Sequence, residues 1–229
     1  MMNRLSRVVS ALIMTLGWAT PAVAGPIGPG GFSDGATLIN FDDLAGGMSI
    51  DTGELITTQY AAQGVVFNNP NHDTRANASP IGSSAVTSSK PNVAFIFQQG
   101  GTLPPGPPQQ LIFSVPVTRV GMQFFTGIFS TTVTLSVFDA DGKQLETVTL
   151  EGTRLSGYAI LEGFIGLEES TPIAKAEITA NGPEGVPFNF AIDDLRFEAT
   201  PEPGTITLLS IGIAAMAGYA WRRRKAVAV

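Results

Sequence analysis

Between residues 37 and 199, three stretches of this 229-residue chain alternate apolar and polar side chains with a period of two. Val120, Met122 and Phe124 alternate with Arg119, Gly121 and Gln123. Val133, Leu135 and Val137 do so with Thr132, Thr134 and Ser136, and Ala174, Ala176 and Ile178 with Lys175, Glu177 and Thr179. A period of two sends one set into a core and the other into water, so these are half-buried strands. Shorter runs rich in β-branched and aromatic residues, TLINF (37–41), GVVF (64–67), VAFIF (93–97) and QLIFSV (110–115), read as further strands. The Asp-Gly of DADG (139–142) joins two runs as a hairpin. Only GELITTQYAAQ (53–63) offers a short helix, with Leu55, Ile56, Tyr60 and Ala61 along one face. About ten strands separated by turn signals predict an all-β fold over 37–199, a β-sandwich of jelly-roll type. The polar interval from Asn68 to Asn92 and the Pro/Gly-rich 98–110 read as long loops.

Both ends of the chain have a different character. Arg4 and Arg7 precede the apolar Val8–Ala19 and then TPAVA (20–24), the layout of a signal peptide (1–24) cleaved after Ala24. That peptide implies the Sec export machinery as a partner. Residues 25–36 open with GPIGPGG and are expected to form a flexible leader. Of the 13 basic residues only seven lie between the two ends, against 18 of the 19 acidic ones, so the body carries a charge of −11. Such a surface repels phosphate backbones, which argues against nucleic acid as a partner and favours cations. The chain has no cysteine, which removes thiol catalysis and thiolate metal sites.

Residues 200–229 form a tail. Pro201, Glu202 and Pro203 come first, then an uncharged apolar run (205–221), then the basic tip Arg222, Arg223, Arg224 and Lys225 (222–225). Seventeen residues of helix span about 26 Å, near the lower limit for a bilayer core of about 30 Å. A basic tip remains on the cytoplasmic side, so a transmembrane helix here leaves the body outside. The prolines keep the segment beside the membrane extended and open to a protease.

This order of Pro-Glu-Pro, marginal helix and basic cluster resembles the PEP-CTERM sorting signal of Gram-negative bacteria. The resemblance implies recognition and cutting by an exosortase at the inner membrane, which anchors the chain only transiently. The body then passes to the cell surface or extracellular matrix. The body is also similar to β-sandwich domains carried on such tails, through INFDDL (39–44), YAAQGVVF (60–67), GFIGLEESTPIAKAEI (163–178) and FAIDDLRFE (190–198). It implies a non-enzymatic structural or adhesive role associated with exopolysaccharide and biofilm.

Two sets of residues are candidate sites. Asp42-Asp43 follows the first strand and Asp193-Asp194 lies in the last, where the apolar parity of Phe188, Phe190 and Ile192 gives way to that of Leu195 and Phe197. Such a shift marks a bulge, and first and last strands of jelly rolls are commonly neighbours. The four carboxylates are therefore a candidate calcium site, the alternative being solvated turn and strand-end residues. Carbohydrate-binding (galactose-binding-like) jelly rolls are similar in combining a structural calcium with an acidic residue in the last strand. Tyr60, Asn68, Asn69, Asn71, His72 and Asp73 are the candidate ligand-binding set for a carbohydrate-binding module. No residues are assigned to catalysis. His72 is the single histidine and no G-x-S-x-G elbow occurs, although Glu162, Glu168, Glu169, Asp42 and Asp193 leave a small polysaccharide hydrolase as a lesser alternative.

Overall fold

The computed structural model describes residues 24–44, 48, 50–51, 53–68, 74–77, 92–96, 108–127, 132–154, 160–182, 188–199, 212–213 and 215–217. Eleven strands occur among them: β1 (Gly25–Pro26), β2 (Thr37–Ile39), β3 (Val65–Asn68), β4 (Thr74–Asn77), β5 (Val93–Ile96), β6 (Gln109–Gly127), β7 (Thr132–Phe138), β8 (Gln144–Glu151), β9 (Thr153–Arg154), β10 (Ile160–Asn181) and β11 (Phe190–Ala199).

Two long strands organise them. β6 turns a corner at the exposed Val115–Pro116, and β10 at the exposed Ser170–Pro172, where the register between them also shifts. Before its corner, β6 pairs with β3 on one side and with Lys175–Ile178 of β10 on the other. That part of β10 continues to β7 and then β8, giving the first layer. Beyond its corner, β6 lies between β11 and Ile160–Glu168 of β10. The other edge of β11 is shared by β5 and β2, β4 extends from β5, and β1 and β9 pair with β10, completing the second layer. The apolar faces of the layers meet in one core, where Phe113 of the first packs on Phe197 of the second at 5.2 Å between ring centroids. This is the expected all-β sandwich.

β7 follows its sequence pattern along its whole length: Val133, Leu135 and Val137 are buried and their neighbours are partly exposed. β5 and the start of β11 do not alternate, because Val93, Phe95, Phe125, Ile160 and Ala191 form a second apolar cluster on the opposite parity from the main core. A strand buried on both faces reads as a continuous apolar run. In the β7–β8 hairpin, Asp139 Oδ1 accepts from the backbone N–H groups of Asp141 (3.0 Å) and Lys143 (2.9 Å), and Gly142 takes the left-handed conformation at φ 79°.

Four expectations are corrected. The helix at 53–63 is absent: Ile56 and Tyr60 are buried, Leu55 is exposed, and only Ala61–Gln63 forms a 3-10 turn, closed by Gly64 at φ 104°. QLIFSV and the 119–125 alternation are one bent strand, Gln109–Gly127, because β10 pairs with it on both sides of Pro116, with a register shift at the corner. The polar 68–92 interval contains β4. The 25–36 leader, expected to be flexible, is docked on the second layer. β1 pairs with Leu167 and Glu168, Ile27 N–H donates to Gly166 O (3.0 Å), and Phe32 meets Phe164 edge-on at 6.1 Å. Gly166 makes this possible, since a Cβ there would lie 3.0 Å from Ile27 O.

Candidate functional site

β2 and β11 stop pairing at Ile39–Leu195, and both acidic doublets lie just beyond that point. Phe41 (φ 60°) and Asp194 (φ 46°) are the only non-glycine residues with positive φ among the described residues. That conformation costs roughly 1–2 kcal/mol for a residue with a Cβ, so each is held by its surroundings. Phe41 is held by its ring, which is fully buried against Tyr60 (5.5 Å) and Phe67 (5.8 Å). Asp194 is held at the bulge expected from the parity change, its N–H donating to Asp193 Oδ1 at 2.8 Å.

Asp193 is fully buried. Asp42 is partly exposed, and its Oδ1 accepts the N–H of the buried Asn92 at 2.6 Å, while Asn92 Nδ2 donates to Ile50 O at 3.4 Å. Glu54 accepts from Gln59 Nε2 (3.2 Å) and from the N–H of Asp51 (3.4 Å). Tyr60 is fully buried, and its hydroxyl has no hydrogen-bond partner among the described residues. The phenol is held well above its usual range, first by burial and then by the negative charge of Asp43, Asp42, Glu54 and Asp193.

Asp42, Asp43 and Asp193 thus act on one buried hydroxyl through their charge. Asp194 turns away, its Oδ2 lying 3.9 Å from Arg196 Nη2. Glu54 joins the group although the sequence did not single it out; its one cue was a place six residues before Tyr60. The donors are hard oxygens, the chemistry calcium takes. Among the described residues, however, no three Asp, Glu or His side chains close on a common point as a metal cage.

A fully buried ring has no face to offer a sugar, so Tyr60 is a core residue. Asn68 is exposed and its Nδ2 donates to Gln110 Oε1 (2.9 Å), while Gln110 Nε2 donates to Glu177 Oε1 (2.9 Å). Asn69, Asn71, His72 and Asp73 lie outside the described residues. Glu168 and Glu169 are consecutive in β10 and so face opposite sides of the sheet. Glu168 accepts from Arg119, whereas Glu169 is buried, and its carboxyl is raised above the usual range by burial and then by Glu146.

At the other end of β11, Arg119 joins three strands. It donates through Nη2 to Glu168 Oε1 at 2.7 Å and through Nη1 to Glu198 Oε2 at 3.0 Å. Glu198 also accepts the N–H of Ser33 from the docked leader. Arg196 adds a weaker contact to Pro29 O at 3.4 Å. β11 ends at Ala199, and in the sequence Thr200 is the one residue before Pro201. Pro201, Glu202, Pro203 and the basic tip Arg222–Lys225 lie outside the described residues. Within the tail Gly212, Ile213 and Ala215–Ala217 are helical and exposed, and no helix among the described residues is long and apolar enough to cross a membrane.

Solved structures with a similar backbone are the K2 cleaved adhesin domain of Lys-gingipain (13% identity, TM-score 0.40, covering 73% of this chain and 100% of that one), a family 29 carbohydrate binding module (11%, 0.38, 71% and 91%) and a DUF4465 family protein from Bacteroides caccae (8%, 0.41, 72% and 99%). No curated protein matches the chain. Residues 199–225, beginning on the last residue of β11, match the PEP-CTERM protein-sorting motif. The chain thus carries at its C-terminal end the sorting signal that its Pro-Glu-Pro, apolar and basic segments spell out.

Proposed function

We propose that this protein is delivered by the Sec machinery to the outer side of a Gram-negative inner membrane, held there by its tail and released by an exosortase. Its β-sandwich then serves at the cell surface or in the matrix as a non-enzymatic structural or adhesive component associated with exopolysaccharide. The observation that carries this reading is the PEP-CTERM motif at 199–225, which begins on the last residue of β11. A sorting motif of this kind implies an exported, exosortase-sorted protein. The strongly acidic body supports a place outside the membrane, away from nucleic acid.

The test is to express the full chain in a Gram-negative host that carries an exosortase and in the same host with that enzyme deleted. The expected outcome is loss of a tail-sized mass in the first only, with the shortened body leaving the membrane fraction. A chain of equal mass in both hosts overturns the reading. Replacing Pro201 and Pro203 by Ala is expected to reproduce the deletion in the competent host.

A calcium ion at the β2/β11 junction is a second element of the proposal, supported by the two acidic doublets that lie just beyond the point where that pairing stops. The residues that would hold it are Asp42, Asp43 and Asp193. Its role there is to fix the two strand breaks, with no part in chemistry. A carbohydrate-binding module is the alternative, now resting on Asn68 and the exposed face of the first layer rather than on Tyr60.

A further inference from the structure

A processing enzyme at the membrane must take the Pro-Glu-Pro segment as extended chain on both sides of the bond it cuts, in the manner of a peptide added to a sheet edge. Here the sandwich leaves little free chain for that. Ala199 is still paired with Val117, and only Thr200 stands between it and Pro201, a reach of two chain steps of about 3.5 Å each. The residues on the N-terminal side of the motif are themselves β11. Glu198 is held at 3.0 Å by Arg119 and by the N–H of Ser33, and Arg119 is anchored in turn on Glu168 at 2.7 Å.

The register of β11 against β6 shifts between Glu198 and Ala199, so the backbone ladder is irregular at this point. Side-chain contacts therefore do more of the holding. Ser33 is kept in place by the docking of the leader, through Ile27 on Gly166 and Phe32 on Phe164.

We propose that the Arg119 clip, braced by the leader through Ser33, is a latch that limits how much of the sorting segment an exosortase reaches, and that tail removal proceeds through release of Glu198–Ala199 from the sandwich. The latch rests on the sorting reading above. Arg119 acts through Glu198 and is a positioning residue that touches no reacting atom. In this arrangement a body whose N-terminal leader has docked loses its tail slowly. One whose leader is still undocked loses it faster, so processing reports on the state of the folded domain.

The experiment follows tail removal by pulse-chase on the full chain in the exosortase-bearing host. The variants are Arg119→Met, Glu198→Gln, Lys175→Met and a chain with six Gly/Ser residues inserted between Ala199 and Thr200. Lys175→Met is the control: it breaks the Lys175–Glu177 pair (2.7 Å), whose lysine has the same 28% exposure as Arg119 but lies in the first layer. Opening the clip is expected to speed tail removal about threefold, the scale of a part-exposed ion-pair network. The control is expected to match wild type. The spacer is expected to raise the rate and to abolish the effect of Glu198→Gln.

Glu198→Gln is isosteric and keeps the charge on Glu168 paired, so it reads the latch even if Arg119→Met fails to fold. Equal rates in wild type, Glu198→Gln and the spacer chain overturn the latch, as does a control that accelerates as much as Glu198→Gln. Absence of tail removal in every chain overturns the sorting reading and the latch with it, an outcome distinct from equal nonzero rates.

Discussion

The ring of Tyr60 meets that of Phe41 edge-on at 5.5 Å, with an interplanar angle of 87°. Phe41 reaches this position only by taking φ 60°, and the two residues that follow it are the first acidic doublet. One contact thus ties the backbone break after β2 to the buried hydroxyl on which the carboxylates act through their charge. The packing of the core and the charge at its end are the same feature.

Replacing Tyr60 by Phe keeps that contact and removes a buried hydroxyl with no partner. An unsatisfied buried polar group costs about 1–3 kcal/mol, so Tyr60→Phe is expected to raise Tm by a few degrees in calcium-free buffer. The pH dependence follows from the raised phenol. Below about pH 10 both folded and unfolded states keep the proton. Above that, the unfolded state loses it first, so stability falls as pH rises through the ordinary phenol range. Thermal melts from pH 8 to 11 are expected to show this loss in the wild type and a smaller one in Tyr60→Phe.

Calcium is expected to stabilise residues 25–200, compared by thermal unfolding with EDTA. At a free concentration about 100-fold above Kd the gain is about 2.7 kcal/mol, or several degrees in Tm. Asp193→Asn, which is isosteric, and Asp42→Ala are expected to remove the shift, and Asp194→Ala to reduce it less because Asp194 faces Arg196. Equal melts with and without calcium refute the site.

Glu169 is 6% exposed and its carboxyl is raised above the usual range. Its charged form is therefore a burden on the fold at neutral pH. Stability from this group is present below the ordinary carboxylate pKa and is lost as pH rises through the raised one. Glu169→Gln is expected to raise Tm by about 2–4 °C at pH 7 and to leave it unchanged near pH 4, where glutamate is also neutral.

Gly163 faces the ring of Phe124, and a Cβ there would lie 2.6 Å from the nearest ring atom. Gly163→Ala is expected to cost about 1–3 kcal/mol by overpacking. Adding Phe124→Leu is expected to recover part of that loss, a coupling that a double-mutant cycle by urea unfolding would read.

The sequence made some of this legible and not the rest. The period-two strands, the Asp-Gly hairpin and the bulge at Asp193-Asp194 depend on near neighbours, and a linear pattern records them. The β6 corner was hidden because Val115-Pro116 reads as a break, whereas the strand bends there, keeping β10 as a partner while β11 takes the place of β3. The 53–63 segment mimicked a helix because Ile56 and Tyr60 are both buried, although in turns rather than along one helical face. Leader docking needs Gly166 and Gly121 opposite each other on separate strands, a register formed only on folding. Glu54 was missed for a similar reason: its place six residues before Tyr60 does not by itself show that its charge acts on the buried phenol.

The placement of β11 also bears on how the molecule carries load. A body tethered through its C-terminal end is pulled along β11, and β11 is no edge strand: β6 binds one side while β5 and β2 bind the other. Tension along it must shear two ladders together rather than unzip one, and the Arg119 contacts stand at the point where the pull enters. Before release from the membrane, the strand that carries the tail is thus among the best anchored in the sandwich, fit to hold the domain against flow.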